Sequence, residues 1–220
     1  MPQNYLNVLK KTENENTAKK TKTTKTIHGI EKQTTKETAD QIQQGIAKEI
    51  LRFHVLANSD SEEDQKLKLE VKDRLVDYMK DILDGAEDVK ETKKRITENQ
   101  ETICLVAEQE IQKRGYTYPV SVNLEKCYFP MKTYGDCTFP AGTYEALRVC
   151  IGKAKGRNWW CVLYPGLCFA DSVNVIVPDE KKQELKNILT EEEYESLFDW
   201  REDDYQIRSG FLRLWRKLFA

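Results

Sequence analysis

Between Gly115 and Tyr118 the apolar residues of this chain change period, and no other feature limits the possible folds as much. Before that point Leu67, Val71, Leu75, Tyr78, Met79 and Ile82 recur at three- and four-residue spacing up to Gly85. This spacing predicts one face of a strongly amphipathic helix. Val89, Ile96, Ile103, Val106 and Ile111 predict a second helix with Gly115 as its stop signal. Beyond it Tyr118, Val120, Val122 and Leu124 alternate with Pro119, Ser121 and Asn123, which is the period of a strand.

Strand signals also bracket this region. Upstream, Leu51, Phe53, Val55 and Ala57 alternate with Arg52, His54, Leu56 and Asn58. Ser59 and Glu62 then have capping-box spacing, with Glu62, Glu63 and Asp64 at the positive end of the first helix. Downstream, the hairpin-like CYFPMKTYGDCTFPAGTY leads to EALRVCIG, where Leu147, Val149 and Ile151 alternate with Arg148 and Cys150. Gly152 and Gly156 separate that strand from NWWCVLY, the most apolar strand of the chain. Pro178 and the Thr190/Glu193 pair start two short helices. The order predicts an α+β fold: an antiparallel sheet with two long helices and C-terminal helices packed on it.

The 220 residues suit one core plus an extension. Residues 1–45 are rich in Lys and Thr with scattered apolar residues and read as a disordered stalk, while 46–220 read as a single α+β domain. A helical turn begins near Ala39, because Ile42, Ile46 and Ile50 follow at four-residue spacing. Charged residues make up 33% of the chain but sum to a formal net charge of only -2, so nothing global argues for nucleic acid. No run approaches the roughly 20 apolar residues of a membrane helix, and the first thirty residues lack the shorter apolar stretch of a signal peptide.

Chemistry-bearing motifs are few. GKAKGR at 152–157 lacks the Lys and Ser/Thr that close a phosphate loop and reads as a basic turn. With only two histidines, His28 and His54, and no C-x-x-C, no metal site and no cofactor is expected, and no nucleophile-with-base signature points to an enzyme. His54 is either a polar site residue or a satisfied strand histidine. Trp159 and Trp160 are adjacent, so on a strand they point to opposite faces: one enters the core, and the other is covered or offered to a partner. Pro165-Gly166 fits the centre of a type II turn that brings Cys168 back towards Cys161, and Cys127 and Cys137 flank a second reversal. These four cysteines are disulfide candidates, and buried packing is the alternative for Cys161 and Cys168.

The strings RFHVLANSDSEEDQKLKLEVKDRLVDYM, FPAGTYEALRVCIGKAKGRNWWCVLYPGLCF and VPDEKKQELKNILTEEEYESL resemble the stage II sporulation protein R family of endospore-forming bacteria. The likeness runs from about Leu51 to about Phe219 with its blocks in the family's order. It implies a signal protein made in the forespore and exported into the space between the two cells. There it would activate a membrane-embedded sporulation aspartic protease that cleaves the pro-form of the early mother-cell sigma factor. The partner-binding candidates are then His54, Asn58, Asp60, Tyr144, Arg157, Asn158, Trp159 and Trp160. Peripheral membrane contact through the C-terminal segment is a further expectation. Two features depart from the family: no apolar leader is visible, and the family's Pro-Pro before Leu-Cys is Pro165-Gly166 here. The competing reading is a cell-wall hydrolase or glycan-binding module that uses Trp159 and Trp160 as a stacking platform.

Overall fold

A computed structural model of the chain describes residues 39–169 and 176–199. Residues 1–38 of the expected stalk, and the C-terminal residues expected to touch a membrane, lie outside the described residues. The chain divides after Ile42 into two units, and apart from the first residues of helix α1 the features below belong to the unit that begins at Gln43. Helix α1 (39–49) runs into strand β1 (Leu51–Leu56), followed by α2 (Glu62–Leu83), α3 (Val89–Glu98) and α4 (Gln100–Lys113). Strands β2 (Val120–Phe129), β3 (Lys132–Tyr134), β4 (Cys137–Phe139), β5 (Gly142–Ile151) and β6 (Asn158–Tyr164) follow. A 3-10 turn (Leu167–Phe169), α5 (Asp179–Ile188) and α6 (Glu191–Asp199) complete the described residues. The fold is α+β, as the change of period predicts.

Some local signals act where the sequence puts them and others a short way off. Helix α2 is capped by Ser61, whose hydroxyl accepts from Asp64 N, and not by Ser59. The single helix expected over 89–115 is two. Asn99 ends α3 with φ -107 and ψ 8, its side chain donates to Arg95 O, and its Oδ1 accepts from Tyr78 at 3.1 Å. At the end of α4 Gly115 adopts φ +82, with Gly115 N bonded to Gln112 O and Tyr116 N to Ile111 O. That pair of bonds is a Schellman stop, and a side chain on Gly115 would meet the steric cost of a left-handed backbone.

The main sheet has the order β2-β5-β1-β6. Its outer pairs, β2 with β5 and β1 with β6, are antiparallel, but the central pair, β1 with β5, is parallel. The sheet is therefore mixed and not purely antiparallel: three helices and three strands separate β1 from β5 and carry the chain back to the same end. Residues Phe53, Val55, Val122, Leu147, Val149, Ile151 and Leu163 face the helices and form one core with Leu67, Val71, Leu75, Met79, Ile96, Ile103 and Ile111. Each such aliphatic side chain contributes about 1.5–3 kcal/mol by leaving water.

The second face is closed only in part. The β3–β4 hairpin lies over it, and α6 packs on β4. The hairpin turn is built by Gly135, at φ +56, and by Asp136, which accepts from Val177 N at 3.0 Å and from Lys182 Nζ at 2.5 Å. Because both faces are covered at β1, that strand is buried throughout, Arg52 and His54 included, where alternation predicts one solvated side.

Candidate functional site

Register places the polar residues of the second face in rows across the strands. Asn123, Arg148, His54 and Trp160 are successive partners from β2 to β6, and Glu125, Ala146, Arg52 and Val162 form the adjacent row. Arg148 Nη1 and Glu125 Oε1 pair at 2.8 Å, half exposed. His54 is 4% exposed, stacked on Trp160 at 4.9 Å and 15° and tilted against Phe129 at 5.2 Å. Neither ring nitrogen has a hydrogen-bond partner among the described residues. Burial, aided by the Arg148 and Arg52 cations and opposed by Glu125, pushes its pKa down to about 4. The imidazole is therefore neutral at ordinary pH and behaves as an aromatic plate.

Arg52 is 0% exposed in a box of rings. Its guanidinium carbon lies 4.6 Å from the Phe129 centroid, 5.2 Å from Tyr144, 5.4 Å from Phe139 and 5.6 Å from Tyr134. Nη2 donates to the Tyr134 hydroxyl at 3.0 Å. Four ring faces offset part of the cost of burying the cation, at roughly 0.5–2 kcal/mol each. Tyr144, 1% exposed, donates to Pro140 O at 2.7 Å, and burial pushes its hydroxyl up to about 12. His54 and Tyr144 are thus part of the packing of this face, not of its surface.

A second cluster joins the β1–α2 loop to the β5–β6 loop. Asp64 is buried and accepts from Ser59 Oγ at 2.5 Å and Asn58 Nδ2 at 2.8 Å. Burial alone would raise its pKa, but the bonds from Ser59, Asn58 and Tyr118 hold the carboxyl below its usual range. Asn58 Oδ1 accepts from Lys153 N at 3.0 Å, and Asp60 Oδ1 accepts from Arg157 N at 2.7 Å. Lys68 Nζ reaches across to Arg157 O at 3.1 Å. A Cβ on Gly156 would strike Ser59 O, which is why the basic turn carries glycine where the loops meet. Asn58 and Asp60 are therefore latch residues that fix where β6 begins, while Arg157 leaves its side chain exposed.

The two tryptophans divide between the faces as adjacency requires, and both are half-buried. Trp159 meets Phe53 edge-on at 5.5 Å under Lys72 Nζ, 5.1 Å from its ring centroid. Trp160 meets His54 and, edge-on, Phe129 at 4.7 Å. Asn158 Oδ1 is buried without a donor among the described residues.

All six cysteines carry free thiols. The reversal after β6 does bring Cys168 beside Cys161, but through a cis Tyr164-Pro165 bond and a 3-10 turn in place of a type II turn. Both sulfurs donate to Val162 O, at 3.0 Å from Cys168 and 3.7 Å from Cys161. Burial and the neighbouring Cys161 push the Cys168 thiol up. Cys127 and Cys137 stand on different sheets, and burial pushes Cys137 up to about 12.

Sequence reasoning misses Arg52, Phe129, Asp64 and Lys68. Arg52 alternates with Leu51 and Phe53 and so reads as solvated; its cover comes from Tyr134, 82 residues later. The signal for Asp64 is an acidic residue one turn into a helix that also follows Asn-Ser, a pattern suited to a loop latch.

Among the described residues no helix is long and apolar enough to cross a membrane, and no group of three potential ligands could hold a metal ion. The family model described as stage II sporulation protein R matches residues 47–174. The chain is 33% identical over 174 residues to the stage II sporulation protein R of Bacillus subtilis (strain 168), which covers 77% of this chain and 76% of that protein. No solved structure matches it.

Proposed function

Since the chain belongs to the stage II sporulation protein R family and has a role in sporulation, we propose that it is an exported signal that activates a membrane-embedded aspartic protease. On this reading it leaves the forespore, reaches the space between the two cells, and causes the protease to process the pro-form of the early mother-cell sigma factor. It works by binding and carries out no reaction itself.

The observation that carries this reading is the family relationship over most of the chain. The chemistry of the site supports a binding role. The buried Asp64 carboxylate is engaged by Asn58 and Ser59 in the latch, and His54 is enclosed by two rings as a neutral plate. Groups so occupied are poorly placed to shuttle protons. What the same end of the molecule offers instead is half-exposed aromatic surface beside exposed cations, the composition of a protein contact.

The test is to produce the chain with a cleavable export signal in a host that also makes the protease and the pro-protein. Pro-protein cleavage should depend on the exported chain. Equal cleavage from chain held in the cytoplasm would contradict the extracytoplasmic assignment, and release of soluble fragments from purified peptidoglycan would favour a wall enzyme instead.

A further inference from the structure

A sheet of four strands has two edges, and among the described residues each of them is covered only in part. On β2 the side chains of α4 take the first two outward carbonyls, Gln100 Nε2 donating to Val122 O at 2.7 Å and Cys104 Sγ to Val120 O at 3.6 Å, and the strand beyond Val122 is not flanked by a cationic turn like that at the start of β6. The other edge is β6, which pairs with β1 and with no other strand among the described residues. Its later half is closed too, since the 3-10 turn packs beside the strand, where Cys168 as a thiol also donates to Val162 O at 3.0 Å. In an antiparallel ladder, residues two apart send their main-chain groups to the same side. Trp160 and Asn158 therefore share the phase of Val162 and turn their N–H and C=O groups away from β1. No described residue bonds to those groups.

The surroundings of this open stretch say what it would accept. Trp159 stands on the helix side of the strand and Trp160 on the other, so an added strand would find an aromatic wall for its side chains on either face. Cations gather at the same end. Lys72 lies over Trp159, and Lys153, Lys155 and Arg157 are exposed in the turn that leads into β6. Asp73 pairs with Lys72 and Asp60 with Arg157, while Lys153 and Lys155 have no carboxylate partner among the described residues. The latch between Asn58, Asp60, Asp64 and the β5–β6 loop holds this edge in place. An exposed strand edge of this kind is a template for pairing with another chain.

We propose that the Asn158–Trp160 edge of β6 takes up an extended, acidic segment of the protein partner as an added strand. Its main chain pairs with Asn158 and Trp160, its alternate side chains lie on Trp159 and Trp160, and its carboxylates meet Lys153, Lys155 and Arg157. The inference rests on the activator reading, because it requires a protein partner, and it states where and in what conformation that partner docks.

Hydrogen exchange on the full chain, alone and with the protease in nanodiscs, tests it alongside the cleavage assay. The Asn158 and Trp160 amides should exchange fast in the free chain and become protected with the protease, while the β2 amides stay unchanged. Asn158→Pro removes an outward donor at the first residue of the strand and keeps the β1–β6 ladder. It should leave the melting temperature nearly unchanged and weaken binding about tenfold, the loss of one or two edge hydrogen bonds. A chain carrying both Lys153→Glu and Lys155→Glu, which alters no packing, should bind more weakly, and most so at low salt. A chain that activates the protease with no protection at these amides would overturn the docking edge and leave the activator reading intact. So would unimpaired binding by both variants. Wild-type chain that neither binds nor activates would overturn the activator reading and, with it, the occupant named here.

Discussion

His54 is held between Trp160 and Phe129 with its pKa pushed from 6.5 to about 4. A base whose folded pKa is depressed contributes stability that is complete above its unfolded pKa and is lost as pH falls. The window is therefore about pH 6.5 down to 4, and the full loss is about 3 kcal/mol. His54→Phe keeps the stack and removes the titration, so urea unfolding at pH 7 and pH 4.5 should show a smaller drop for the variant than for the wild type. An equal drop would place the acid sensitivity elsewhere. At Asp64 the expected cost is of a different kind: Asp64→Ala leaves Asn58 and Ser59 without their acceptor and should destabilise the fold by about 1–3 kcal/mol. Unfolding by denaturant checks this value.

Among the elements, the loop latch and the turn after β6 make separable claims. Gly156→Ala drives a Cβ into the Ser59 carbonyl, so the β1–α2 and β5–β6 loops must part; the amides of Lys155 and Gly156, bonded to Asn58 O and Ala57 O, should then lose exchange protection. The turn sets Cys168 beside Cys161, and in an oxidising medium we expect these two sulfurs to bridge ahead of Cys127 and Cys137, at a gain of roughly 2–3 kcal/mol. Non-reducing peptide mapping of exported protein decides it, and free thiols at both positions would contradict it. The elements themselves were largely legible, because the helical stripe from Leu67 to Ile82 and the alternation from Val120 to Leu124 each fit one period only. What was not legible depends on distant partners. The break at Asn99 involves the Tyr78 hydroxyl, 21 residues earlier. The parallel pairing of β1 with β5 has no local signature, since alternation specifies a face and not a direction. The placement of the candidate residues was legible in part: Arg157 is exposed and Asn158, Trp159 and Trp160 are half-buried, as residues of a turn and an edge strand should be, whereas His54 and Tyr144 were drawn inward by a hairpin whose packing no periodicity describes.

For the whole molecule, the fold separates two tasks. Helices α2 to α4 and one face of the sheet form the apolar core, while the second face spends its aromatic residues on enclosing Arg52 and His54 and brings β6 to an edge. The residues before 39 hold few apolar groups to bury, so we expect their deletion to leave the melting temperature within a few degrees of the full chain. The measurement closest to the central claim is pro-protein cleavage in cells that make the protease, its substrate and this chain with an export signal, scored with and without the chain at matched protease levels. The account predicts cleavage only when the exported chain is present. Cleavage that is equal without it, or absent although folded chain is shown outside the cytoplasm, would contradict it.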